Sequence, residues 1–176
     1  MYGFLHSPQY RETFAADLKK MLPRLPLVDE ARDFWAFSKA GRELAELHLN
    51  YENIPPYAEV TITGSQVNLR VEKMRFPAKD RKDTIIYNSH ITVENIPAKA
   101  YEYVVNGKSA IEWVMERYQI KTDKDSGIVN DPNLYAEENG QPDYILKLLL
   151  SVIAVSMKTQ EIVEKLPSFQ QKMNLF

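Results

Sequence analysis

A chain of 176 residues, 44% hydrophobic and 26% charged, can bury a proper core and is too apolar for disorder. With no cysteine it has neither a disulfide framework nor a thiolate zinc site, which fits a reducing cytoplasm. The N-terminus lacks a basic-then-apolar signal pattern, and the longest apolar run, Ile145–Met157, is too short for a membrane span and carries Lys147.

Ser7-Pro8 has the cap and first-turn proline of a helix start, and Tyr10, Phe14, Leu18 and Met21 would share one face until Pro23. After an extended PRLPL, a second helix is expected beyond Asp29, with Phe34, Phe37, Gly41, Leu44 and His48 as its stripe. NYENIPPY breaks it. Alternation in QVNLRVEKMRF predicts a strand with Val67, Leu69 and Val71 on one face, and TIIYNSHITV predicts another strand or strand pair. Together they form a hairpin with a long basic tip. Pro97 starts a short helical turn, YVV leads into an Asn106-Gly107 turn, and the next helix carries Ile111, Val114, Met115 and Tyr118. A polar loop from Lys121 to Gly140 precedes a long closing helix over about Pro142 to Lys165. The fold class is therefore α+β: a small, mostly antiparallel sheet with a hairpin, bracketed by N-terminal helices and a long C-terminal helix.

The net charge of −2 says little until it is divided along the chain. Between Arg70 and Lys82 six basic residues face two acidic ones, a local charge of +4, so the remainder carries −6. Such a segment can meet a polyanion by itself.

Catalytic motifs fail on inspection. Gly107-Lys108-Ser109 ends like a P-loop, but the first glycine of that loop would be at position 102, which is Glu102. IPPY resembles the Pro-Pro-Tyr motif of adenine methyltransferases, but Ile54 replaces the Asn or Asp that accepts a hydrogen bond from the target amino group. Asp17-Leu18-Lys19 and Asp80-Arg81-Lys82 match single fragments of nuclease patterns and lack a partner acid upstream. His6, His48 and His90 have no paired-ligand spacing, and His48 reads as a hydrogen-bonded core or boundary histidine. There is no GxSxG elbow. The chain reads as a domain that binds rather than one that reacts.

FLHSPQYRETFAADLKKMLPRLPL and FWAFSKAGRELAELHLNYE resemble the junction after the methyltransferase domain in single-polypeptide restriction-modification enzymes. VEKMRF, IIYNSHITVENIP and AYEYVVNGKSAIEWVMERYQIKTDKDSGIVNDPN resemble the C-terminal target-recognition domain of the ATP-dependent type ISP subclass, often labelled as helicases. The resemblance implies residues 1–57 as a helical junction and 58–176 as the recognition domain, packed as one compact unit. It implies a monomeric C-terminal part of a larger enzyme in a bacterial cytoplasm, partnered by double-stranded DNA and by methyltransferase and helicase-like domains of the same polypeptide. ATP, magnesium and S-adenosylmethionine would be bound by those domains and none of them here.

Chemistry nominates the contact residues. Arg and Lys suit guanine, Asn suits adenine, and a ribbon or loop can enter the major groove. Lys73, Arg75, Lys79, Arg81 and Lys82 lie at the basic tip, with Tyr87 and Asn88 on the returning strand and Asn106 and Lys108 in a second loop. Arg75 is expected to read a base and Lys79 or Lys82 to hold phosphate. Lys121 and Lys124 read as solvated, and Trp35 and Trp113 as core. The rival reading is a scaffold domain that docks within its parent enzyme through the N-terminal helices and never touches DNA.

Overall fold

The computed structural model describes residues 1–169, which form two compact units: residues 1–50 with the chain from Thr159 onward, and residues 51–158.

The first unit holds helices α1 (Tyr2–His6), α2 (Pro8–Thr13), α3 (Ala15–Lys19) and α4 (Ala31–Leu49). Ser7 caps α2, its hydroxyl accepting from the Tyr10 N–H. The single helix expected from Ser7 to Pro23 is broken at Phe14, and Met21 is exposed rather than on a buried face. Phe14 turns inward to Tyr10, whose ring also meets Phe4 and Phe169, and Phe4 stacks on Phe37 with centroids 4.0 Å apart. Burying all five aromatics in one cluster outweighs helix continuity. Gly3 and Gly41 allow α1 and α4 to touch by backbone, since a Cβ on Gly3 would lie 2.5 Å from the Phe37 carbonyl oxygen. On α4 the buried stripe is Phe37, Ala40, Gly41, Leu44 and Leu47. Phe34 and Trp35 are exposed and pack edge-to-face on each other, so Trp35 is not a core residue. His48 is the hydrogen-bonded boundary residue its position predicted, meeting Tyr2 Oη at 2.7 Å and Thr159 Oγ1 at 2.8 Å.

The second unit is α+β. Strands β1 (Thr61–Gly64), β2 (Ile85–Ile86) and β3 (Ile91–Glu94) form an antiparallel sheet in the order β1-β3-β2, with Thr61 opposite Glu94 and Ile85 opposite Val93. Two small ribbons follow, β4 (Val104–Val105) with β5 (Lys108–Ser109), and β6 (Lys121–Thr122) with β7 (Val129–Asn130). Helices α5 (Ala110–Arg117), α6 (Asn133–Glu138) and α7 (Tyr144–Val163) complete the order, α7 running past the unit's end. Ser109 and Glu112 form a reciprocal capping box at the start of α5. The core joins Val71, Ile85, Tyr87, Ile91 and Val93 to Ile111, Leu149 and Ile153. No helix of the described residues is long and apolar enough to cross a membrane.

The strand predicted over Gln66–Phe76 does not form, and the hairpin with a long basic tip shrinks to a single bridge between Arg75 and Ile86. Val67 is 93% exposed while Val71 is buried, so the alternation does not define one buried face. Backbone groups that a neighbouring strand would satisfy are taken by asparagine side chains. Asn68 Oδ1 accepts from Arg70 N–H, Asn88 Nδ2 donates to the Asn68 and Arg70 carbonyls, and Asn133 bonds both backbone groups of Val71. The sheet takes its third strand from β1, upstream of the predicted one. The polar stretch from Lys121 to Gly140, expected as a loop, holds both the β6–β7 ribbon and α6.

Candidate nucleic-acid interface

The basic loop runs from Lys73 to Lys82, beginning beside the Arg75–Ile86 bridge. Lys73, Arg75 and Lys79 are exposed and form no ion pair among the described residues. The other cations of the segment are engaged. Arg70 pairs with Asp131 at 2.5 Å and with Glu137, and Arg81 sits 3.7 Å from Asp83. Lys82 reaches Glu112 at 2.9 Å, with its ammonium 5.7 and 5.5 Å from the ring centres of Phe76 and Tyr101. Burial alone would raise the Glu112 pKa, but hydrogen bonds from Ser109 and Lys82 outweigh it and hold the carboxyl below its ordinary value. The +4 read along the sequence is thus partly neutralised within the protein, and the uncompensated charge narrows to three side chains.

Tyr87 and Asn88 are both buried. The Tyr87 hydroxyl donates to the Leu69 carbonyl at 2.9 Å, and burial raises its pKa. Asn88 uses both ends of its amide, donating to two carbonyls while its Oδ1 accepts from the His90 and Ile91 N–H groups at 2.8 Å each. Both side chains are spent on the protein's own backbone.

Asn106 (φ 50°) and Gly107 (φ 80°) form the two-residue turn of the β4–β5 hairpin. The triplet that imitates a P-loop is therefore a hairpin turn leading into a capped helix. Lys108 pairs with Glu116, and its ammonium stands 4.9 Å from the centre of Trp113, with the Arg117 guanidinium 5.2 Å from the same ring. Trp113 is half-buried rather than core, and its Nε1 donates to the Val105 carbonyl at 2.7 Å. An isolated Trp carries no signal of its neighbours in the sequence, so core filling is the default expectation for Trp113.

Loop and hairpin meet at an open cavity of about 250 Å³, with Lys73 and Phe76 on one side and Lys108, Glu116 and Gln119 on the other. Two candidate groups more than thirty residues apart in sequence thus share one cleft. Among the described residues no cluster of His, Asp or Glu is arranged to hold a metal ion.

The family model of the type ISP C-terminal specificity domain matches residues 1–148. This chain belongs to that family. It is 53% identical to the type ISP restriction-modification enzyme LlaGI, solved as a nuclease-deletion mutant with a DNA substrate mimic, over 97% of this chain and 16% of that one, with a TM-score of 0.88. The DNA-bound ATP-dependent type ISP enzyme LlaBIII matches at 51% identity over 97% of this chain and 11% of its own, also with a TM-score of 0.88. The DrdV–DNA complex matches at 30% identity and a TM-score of 0.73, over 94% of this chain and 17% of that one. No curated protein matches. The specificity domain thus spans less than a fifth of each of these solved chains.

Proposed function

We propose that this specificity domain recognises a DNA target sequence for a single-chain restriction-modification enzyme. It directs methylation and cleavage carried out by other parts of that polypeptide, which bind the ATP, magnesium and S-adenosylmethionine. The reading places it in the cytoplasm, as a monomeric part of that enzyme. The observation that carries it is the exposed, unpaired trio Lys73, Arg75 and Lys79 on one loop, with Lys73 lining the cleft, in a chain that is otherwise acidic. There three exposed cations that need not first give up a carboxylate partner are gathered on one short loop.

Binding to duplex DNA across a salt series tests this reading. Lys73→Ala or Lys79→Ala should weaken binding to all sequences alike and flatten the salt dependence by about one unit of slope, whereas losing a base-reading Arg75 should alter preference at one position. Wild-type slopes that survive replacement of all three would remove the loop from the interface.

A second reading, docking within the parent enzyme, is favoured by Met21, Leu22, Leu25 and Leu27, four exposed apolar side chains in the connection between α3 and α4. It concerns the first unit, and on that reading the domain docks within its parent enzyme without touching DNA.

A further inference from the structure

The polar stretch expected as solvated loop folds over Lys121–Asn130 into the β6–β7 ribbon. All ten residues from Lys121 to Asn130 are exposed, including Ile128 at 68% and Val129 at 56%. Apolar side chains on a free ribbon cost hydration free energy and mark a surface meant to be covered. The ribbon is nonetheless stiffly built. Asp123 Oδ1 accepts from the N–H groups of Asp125 (3.1 Å) and Ser126 (2.8 Å) and from the Ser126 hydroxyl (2.8 Å). The Asp123 N–H donates to the Ile128 carbonyl at 2.8 Å, and Gly127 adopts φ 71° to close the tip.

Both feet of the ribbon stand on one short piece of chain. Ile120 N–H donates to the Glu72 carbonyl at 2.9 Å on the entering side. On the leaving side Asp131 pairs with Arg70, and Asn133 bonds the Val71 N–H and carbonyl at 2.8 Å each. Residues 70–72 directly precede Lys73, so the ribbon springs from the same root as the cationic loop.

Resting on the DNA-recognition reading above, we infer that the β6–β7 ribbon is a second element that reads base edges beside Arg75, entering the major groove while Lys73 and Lys79 of the neighbouring loop hold phosphate. A two-stranded ribbon fits that groove. Lys121 lies opposite Asn130, and Ile128, two residues before Asn130, falls on the same face by strand alternation. That face offers a donor for guanine, a bidentate amide for adenine and an apolar group for the thymine methyl. From Lys121 to Asp131 two lysines are outweighed by three aspartates, so the ribbon adds no general attraction for phosphate. Its contribution is discrimination between sequences.

The test selects preferred sites from a random duplex library with the 176-residue chain, then compares wild type with Asn130→Ala, Lys121→Ala and Lys79→Ala. All three positions are exposed, and an unchanged thermal melt verifies the fold. Asn130→Ala and Lys121→Ala should each lose about tenfold or more of the preference at one base pair while binding random duplex with an unchanged salt slope. Lys79→Ala should weaken all sequences together and keep the preference. If both ribbon variants select the wild-type site with wild-type discrimination, the ribbon is not a reader and the inference fails, while DNA recognition by the domain stands. If the wild type enriches no site and binds no duplex, both readings fall.

Discussion

Asn88 offers a sharp test of the assignment, because its residue type suits adenine and its position suits scaffolding. Replacing it by Ala removes four hydrogen bonds of 2.8–2.9 Å and strands the Asn68 and Arg70 carbonyls and the His90 and Ile91 N–H groups. At roughly 0.5–1.5 kcal/mol net per bond, with partial rehydration at the exposed His90, the expected loss is about 2–4 kcal/mol. Asn88→Asp keeps the two accepted bonds but sets a carboxylate oxygen against two carbonyls. It should cost at least as much and recover in part as pH falls and the carboxyl gains a proton to donate. Urea denaturation, followed by far-UV circular dichroism and amide exchange at Ile91 and Val93, measures both. A loss below about 0.5 kcal/mol for Asn88→Ala, with altered base preference in the folded protein, would refute the scaffolding role.

Leu149 is fully buried at the centre of the second unit's core, so Leu149→Ala should cost about 2–5 kcal/mol in the same denaturation assay. In the first unit, burial, then the neighbouring His48, then Arg11, push the His6 pKa from its ordinary 6.5 down to about 4. The unfolded chain therefore binds a proton at a pH where the folded one resists it. Stability should be full above pH 6.5 and decline as pH falls toward 4, with His48, also lowered by burial, acting in the same sense. Thermal melts across that range should show the decline, and His6→Gln should flatten it.

Elements specified by neighbouring residues were legible in the chain. Ser7-Pro8 opens a helix, Asn106-Gly107 makes a hairpin turn, Ser109 and Glu112 cap α5, and the apolar repeat after Pro142 builds α7. Each needs only groups within a few residues, so the sequence carries the whole instruction. The α+β class followed from these pieces, and the basic cluster at 73–82 followed from counting charge. What tertiary structure decided was which partner each polar group finds. The alternation at Val67–Val71 reads as a strand, but Asn88 and Asn133, eighteen to sixty-two residues from the groups they bond, take up its backbone groups. Glu112 and Glu116 neutralise Lys82 and Lys108, and Asp83 engages Arg81, leaving Lys73, Arg75 and Lys79 as the unpaired cations of the basic cluster. The ribbon at 121–130 lies in a stretch whose Asp, Asn and Gly content signals only a loop. Its rooting on residues 70–72 depends on contacts between chain segments about fifty to sixty residues apart, which local propensity cannot encode and which only the folded chain brings together.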